Sequence, residues 1–295
     1  MAVTSSDLRK SDRDYYGPEA EDLAEHLRGI NGWHELGRLH CVPDTLPRLH
    51  AIAESRERAF PNPRGLWSLS KFDGAQEWDC LRHLAPMQGK RVAQVGGSGA
   101  WAVEFALAGA REAWLVSPFQ SELEAGLEIA RLAKVELHCR LCSAERLQFE
   151  DGYFDAIFAP GSAHHFDTDE AFPEIRRVLR PGGKFAAFEP WLTPFYKLGI
   201  RLFGKREPGV KCIPLDPSRL VSFYRAFPGA QVQHHGAFTR YGLILLGRFV
   251  RLSDSFVWSL SSLDDAIALP GIRLRLGSGV ALLAQRRDAE TLRFS

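Results

Sequence analysis

The chain of 295 residues has no excess of charge: 37 Lys and Arg stand against 36 Asp and Glu, a formal net charge of +1. Nucleic-acid binders usually carry a strongly basic footprint, so this balance argues against such a partner. Long hydrophobic runs are also missing. The longest, residues 241–250, has about half the length of a bilayer span and contains Arg248, so no membrane span is expected. The first 20 residues are polar and charged, and no secretory signal is expected. Cysteine is scarce: the five residues Cys41, Cys80, Cys139, Cys142 and Cys212 are odd in number and scattered. That argues against a disulfide framework and fits a reduced, cytoplasmic protein. Cys139 and Cys142 beside His138, and the pair His234-His235, lack the matched ligand spacing of a structural zinc site, so no metal is expected. If Cys139 and Cys142 lie on one strand, they point to opposite faces. Internal repeats and low-complexity segments are absent.

What is present builds a core. Apolar residues make up 45% of the chain and charged residues 25%, proportions of an ordinary globular domain. Residues 91–100, Arg-Val-Ala-Gln-Val-Gly-Gly-Ser-Gly-Ala, read as a buried strand, a glycine turn (Gly96, Gly97, Gly99) and the start of an apolar helix over 101–107. Glycines in such a turn let backbone N–H groups approach a nucleotide-like ligand where a Cβ would intrude. Strands and helices then alternate: strand 112–117, helix 121–133, strand 135–141, strand 154–159, helix 169–179 stopped by Pro181-Gly182-Gly183, and strand 184–188. This alternation predicts a parallel sheet covered on both faces. Beyond it the pattern predicts helices over 194–203 and 218–227, a polar loop over 204–217, strands over 231–235 and 278–285, and an apolar helical insertion over 238–269. Residues 1–85 read as a helical cap, with helices over 19–28, 45–59 and 74–84 and many aromatics, Tyr15 and Tyr16 among them. Such a cap packs on the domain or closes over a substrate. The expected organisation is this cap and one α/β domain over 86–295.

Residues 151–166 read Asp-Gly-Tyr-Phe-Asp-Ala-Ile-Phe-Ala-Pro-Gly-Ser-Ala-His-His-Phe, followed by Pro-Glu-Ile-Arg-Arg-Val-Leu-Arg-Pro-Gly-Gly-Lys-Phe over 173–185 and Phe-Glu-Pro over 188–190. The Phe154-Asp155 strand opening, the His164-His165 pair, the Val178 to Gly183 turn and the Ala144-Glu145 step strongly resemble the class I S-adenosylmethionine-dependent methyltransferases. The resemblance is to the branch that acts on small molecules, lipids and quinones. It covers roughly residues 80–190 well, the two final strands weakly and the first 75 residues hardly at all. It implies a doubly wound, mostly parallel, seven-stranded Rossmann-like sheet with the cofactor at the carboxyl ends of the first strands. It further implies that Gly96, Gly97 and Gly99 pass the methionine end of S-adenosylmethionine. Ser117 and Pro118 would meet the ribose, and Ser143, Ala144 and Glu145 the adenine. Pro160 and Gly161 would stand near the sulfonium.

Three positions depart from the family pattern in one direction. An acidic residue is usual two before the first glycine, at the end of the second strand, and before the Ala-Glu step; here stand Gln94, Ser117 and Ser143. Each missing carboxylate removes a charge-assisted hydrogen bond worth about 1.5–3 kcal/mol where well made. Ser98 and Ala100 also occupy positions where glycine is commonest. Two readings follow. In one, Gln94, Ser117, Ser143 and backbone groups hold S-adenosylmethionine, Glu145 or Glu122 supplies charge, and the protein methylates a small, partly apolar metabolite. In the other, the fold is kept and the cofactor lost or changed, which gives a cyclase, a lyase or a non-catalytic binding protein.

Methyl transfer to an O–H or N–H acceptor needs the acceptor about 3–3.5 Å from the methyl carbon and a base within reach. His164 and His165 lie where the acceptor approaches, and histidine titrates near neutral pH. The alternative for this pair is to cap the sheet. Glu189 is a second base or an orienting group. Trp191, Lys205, Arg206, Arg240 and Tyr241, with Tyr15 and Tyr16 of the cap, are the candidate substrate contacts. The two loop cations suit a carboxylate or phosphate. The apolar insertion covers a hydrophobic substrate, forms a homodimer contact or simply packs.

Overall fold

The computed structural model describes residues 74–97, 99–194, 196, 213–247 and 249–287. In chain order these form α1 (Gly74–Leu84), β1 (Arg91–Val95), α2 (Ala100–Leu107), β2 (Glu112–Ser117), α3 (Gln120–Ala133), β3 (His138–Leu141) and β4 (Phe154–Pro160). A single 3-10 turn, Ala163–His165, precedes α4 (Thr168–Val178) and β5 (Leu179–Pro190). Then come α5 (Leu220–Ala226), β6 (Gln231–His235), α6 (Thr239–Leu246), α7 (Asp254–Ile267), α8 (Pro270–Leu276) and β7 (Gly279–Gln285). The predicted helices over 19–28 and 45–59 lie outside the described residues, as does most of the one over 194–203.

The strands form one sheet in the order β3-β2-β1-β4-β5-β7-β6. Neighbours pair in parallel except β7, which runs antiparallel to both β5 and β6. The central strands are buried on both faces, which is why residues 156–160 of β4 and 279–284 of β7 read as unbroken apolar runs. Leu81, Phe105 and Ile129 of α1, α2 and α3 close one face over Val92, Leu115 and Phe158. Phe172 and Phe223 of α4 and α5 close the other over Ile157, Phe185 and Leu282. Helix α1, read from sequence as part of the cap, therefore belongs to the cover of the sheet.

Two elements differ from the sequence reading. Pro181-Gly182-Gly183 does not separate helix from strand. Strand β5 begins at Leu179 opposite Phe154, shifts register, and resumes with Lys184 opposite Ala156. Gly182 N donates to Arg286 O, and Arg286 N to Gly183 O, so the bulge is pinned to the end of β7. The insertion also gains a helix, α8, which Pro270 opens at its first turn.

The strand order reverses between β1 and β4, where a doubly wound sheet opens a crevice at its carboxyl edge. The pairing of Pro190 with Gly279, and of Gly279 with His235, brings the carboxyl ends of β5 and β6 to that same edge.

Candidate functional site

The site begins with the turn after β1. Gly96, Gly97 and Gly99 have φ of +78°, +75° and +80°, a region that L side chains rarely adopt. A Cβ on Gly96 would stand 2.6 Å from Ser162 Cβ, and one on Gly99 would stand 2.9 Å from Gly126 Cα of α3. These two glycines are therefore required by the protein's own packing. Among the described residues a Cβ on Gly97 would meet Gln94 Nε2 alone, at 3.3 Å. Gly97 is thus the glycine with an open side.

Gln94 is 1% exposed and faces inward. Its Oε1 accepts from Ala102 N at 2.9 Å, and its Nε2 donates to Gly96 O at 2.8 Å. The sequence reading placed it on the cofactor; the structure makes it the brace between the glycine turn and α2. A carboxylate could accept the first of these bonds but could not donate the second, which gives the amide a reason of its own at this position.

At the end of β2, Ser117 is fully buried. Its hydroxyl accepts from Phe119 N at 3.0 Å and donates to Glu122 Oε2 at 2.5 Å. The serine holds a carboxylate from the first turn of α3 where the family pattern has its own acidic residue. Pro118 forms the half-buried bend between them. After β3, Ser143 is half-buried and its carbonyl accepts from Arg146 N, while Ala144 is buried. Glu145 Oε1 accepts from Asp167 N at 2.8 Å. Its Oε2 is buried and has no hydrogen-bond partner among the described residues.

The loops after β4 and β5 form one hydrogen-bonded unit. Past Pro160 and Gly161 (φ +60°), Ser162 Oγ donates to Val95 O at 2.7 Å and ties this loop to the end of β1. Glu189, 1% exposed, accepts at Oε1 from Ser162 N (2.9 Å) and Ala163 N (2.6 Å). Its Oε2 lies 2.7 Å from His164 Nδ1 and 3.2 Å from His164 N. A carboxylate against Nδ1 fixes the proton there and makes Nε2 the basic ring nitrogen. These four contacts occupy both oxygens of Glu189 and orient the His164 ring. The His165 ring lies against that of His164, centroids 3.9 Å apart.

Sequence reasoning missed Arg219. Its guanidinium donates to Phe166 O at 2.7 Å, to His164 O at 3.1 Å and to Ile213 O, so it gathers the carbonyls of the histidine turn. Nothing around it in the sequence marks that role. Ser162 was missed as well, although it directly follows Pro160-Gly161.

Other candidates are placed differently from the sequence reading. Trp191 is 3% exposed and packs edge-on against His234, at 4.7 Å, so it is a core residue and not an open substrate contact. Arg240 Nη1 donates to the carbonyl and hydroxyl of Ser278, 3.1 Å each, and braces the entry to β7. Tyr241 lies in α6. Tyr15, Tyr16, Lys205 and Arg206 lie outside the described residues. Cys139 packs with one face of the sheet and Cys142 with the other, and burial raises both thiols to about 11. Among the described residues no His, Cys, Asp and Glu side chains form a metal-holding group of three.

A second cluster sits at the same edge of the sheet. His235 Nδ1 lies 2.6 Å from Asp265 of α7, and its Nε2 lies 3.1 Å from Asp79 of α1. Burial alone would lower its pKa, but the hydrogen bonds and charges of Asp265 and Asp79 outweigh burial and raise it to about 9. Its neighbour His234 is pushed down to about 4, by burial first and then by the charges of His235 and Arg273.

A sheet ordered 3-2-1-4-5-7-6 with an antiparallel seventh strand is that of the Rossmann-like methyltransferase fold. Residues 94–187 match a family model described as a methyltransferase domain. It is 35% identical over 105 residues to a tRNA U34 carboxymethyltransferase of Syntrophotalea carbinolica, an alignment covering 35% of this chain and 32% of that protein. It is 38% identical over 105 residues to the ubiquinone/menaquinone biosynthesis C-methyltransferase UbiE of Cupriavidus metallidurans, covering 34% and 43%. The chain thus spans less than half the length of these curated relatives. Among solved structures, geranyl diphosphate C-methyltransferase from Streptomyces coelicolor shares the fold with a TM-score of 0.52 at 16% identity, covering 78% of this chain and 84% of that one. Among the described residues no helix is long and apolar enough to cross a membrane.

Proposed function

We propose that the protein transfers a methyl group from S-adenosylmethionine to a small, partly apolar metabolite. The observation that carries this is the His164–Glu189 pair at the carboxyl ends of β4 and β5, hydrogen-bonded through Ser162 to Val95 at the end of β1, just before the glycine turn. The residues present fit the cofactor despite the departures from the family pattern. Gly97 leaves a cradle that a side chain would fill. Ser117 brings the carboxylate of Glu122 to the end of β2, where two ribose hydroxyls would find an acceptor. Glu145 Oε2, buried without a partner among the described residues, is an acceptor suited to the adenine amino group.

When bound, S-adenosylmethionine supplies an electrophilic methyl group on a sulfonium. The chain's own work is then to position the acceptor and move a proton. Glu189 holds His164 in the tautomer whose Nε2 accepts a proton from an O–H, N–H or activated C–H group. Arg219, by binding the carbonyls of the same turn, holds the backbone that carries His164 in place. A base of this kind contributes about 10²–10⁴-fold in rate.

The test is methyl transfer from tritiated S-adenosylmethionine into quinol, phenol and isoprenoid acceptors. The proposal expects incorporation into one of these, lost in His164→Ala while binding of S-adenosylhomocysteine is retained. Incorporation at the wild-type rate in His164→Ala would remove the histidine from the mechanism. Turnover of an acceptor without any cofactor would replace methyl transfer with another chemistry.

A further inference from the structure

Strand β6 ends in His234-His235 at the carboxyl edge of the sheet, and the strand register ties both residues to the candidate site. Glu189 of β5 stands opposite Val280 of β7, and Val280 stands opposite His234. Residues in such a row share one face of a sheet, so His234 lies on the face of Glu189, two strand spacings or about 10 Å away. His235 falls on the other face, where Asp79 and Asp265 hold it. Trp191, two residues beyond Glu189, packs edge-on against His234.

Helix α8 closes on His234 from beyond the strand. Gly277, which follows the helix, donates its N–H to Arg273 O at 2.7 Å. A Cβ on Gly277 would stand 2.5 Å from Arg273 O and 2.9 Å from His234 Cβ. A residue without a side chain therefore lets the last turn of α8 approach the end of β6. That approach gathers two buried nitrogens. His234 Nδ1 and Arg273 Nε are each buried, and neither has a hydrogen-bond partner among the described residues. Nor does any carboxylate among the described residues stand in ion-pair contact with Arg273. The two side chains feel each other: burial, then the charges of His235 and Arg273, lower the His234 pKa to about 4 and keep the imidazole uncharged near neutrality. Native proteins rarely bury a polar group without a partner. A guanidinium has only donors to offer, and a neutral imidazole protonated on Nδ1 donates there as well. One anionic oxygen group meeting both would satisfy them and offset the charge of Arg273, whereas the charge of His235 is already met by its two aspartates.

We infer that His234 and Arg273 form a subsite for an anionic oxygen group, a carboxylate or phosphate, on the molecule that the protein methylates. The subsite stands on the two partnerless nitrogens, and the identity of its occupant as the acceptor rests on the methyl-transfer reading. Inorganic phosphate is the first probe, followed by nitrogen NMR of Arg273 Nε and the His234 ring. Saturable shifts of both signals are expected, lost in Arg273→Gln and kept in Arg111→Gln, an exposed arginine before β2 at the opposite edge of the sheet. Arg273 Nε holds no partner within the described residues, so Arg273→Gln should keep the wild-type melting temperature, measured alongside. Absence of a saturable shift in the wild-type protein overturns the subsite, and so do shifts that survive Arg273→Gln. The second arm separates free phosphate from an acidic group of the acceptor. Quinol, phenol and isoprenoid acceptors are offered with tritiated S-adenosylmethionine, each with and without a carboxylate. Arg273→Gln should lower the kcat/KM ratio of the acidic over the neutral acceptor about tenfold or more, through KM, and phosphate should compete with the acidic acceptor. An unchanged ratio overturns the inference, because the subsite then takes free phosphate only. If no acceptor of either kind is methylated, the methyl-transfer reading fails, and the phosphate shifts still decide the subsite.

Discussion

His164 depends on Glu189 for the side of its ring that carries the proton, so the two residues act as one unit. In Glu189→Gln, the amide oxygen can still accept from Ser162 N and Ala163 N, but the amide NH2 then faces His164 Nδ1. The imidazole must turn to the opposite tautomer. Turnover should fall about 10²-fold or more, with S-adenosylhomocysteine affinity little changed. Nitrogen chemical shifts of the His164 ring should report the switched proton; an unswitched tautomer and an unchanged rate would contradict the pairing. His234 and His235 offer a second test at this scale, because their shifts have opposite signs. His235, raised to about 9, adds stability that is complete below the unfolded value of about 6.5 and is lost as pH rises through 9. His234, lowered to about 4, adds stability that is complete above about 6.5 and is lost as pH falls through 4. The melting temperature should therefore fall on both sides of neutrality. His235→Gln should flatten the alkaline limb and His234→Gln the acid one. Profiles parallel to wild type would count against the clamp between Asp79 and Asp265.

Among the elements, the glycine turn separates folding from binding. Gly96→Ala places a Cβ 2.6 Å from Ser162 and should lower the melting temperature, whereas Gly97→Ala meets the Gln94 amide at 3.3 Å, a far milder contact, and should chiefly weaken cofactor binding. Both substitutions strain a positive φ, so the comparison of calorimetric affinity with melting temperature carries the distinction. Equal losses of stability with equal affinities would contradict it. In the core, Phe185 stacks on Phe227 and meets Phe172 and Phe223. Phe185→Ala should cost about 3–5 kcal/mol in chemical unfolding. Strands were legible in the sequence because burial on both faces of a parallel sheet writes an apolar run between turn residues. The β5 bulge was not legible, because Pro181-Gly182-Gly183 has the same composition whether it ends a helix or bends a strand. It is the pairing of Gly182 and Gly183 with Arg286, about a hundred positions away, that decides between them.

For the molecule as a whole, the sequence named the fold and most of the loops that meet at the site, but not how the site is wired. Positions fixed by one backbone register, such as Gly96 after β1 or Glu189 at the end of β5, could be read from the chain alone. Contacts between side chains from different elements could not. The joining of Ser117 to Glu122, of Glu189 to His164 through the turn that Ser162 begins, and of Arg219 to the histidine carbonyls exists only once the strands are side by side. The same contacts show what stands at the three positions where the family pattern has acidic residues. Gln94 is a brace, Ser117 recruits a carboxylate, and Glu145 presents one beside Ser143. The central claim is that this altered site still holds S-adenosylmethionine, and titration calorimetry of the protein with S-adenosylhomocysteine tests it most directly. The account predicts a one-to-one complex with a dissociation constant on the order of micromolar, about −8 kcal/mol. No heat of binding at millimolar ligand would contradict it.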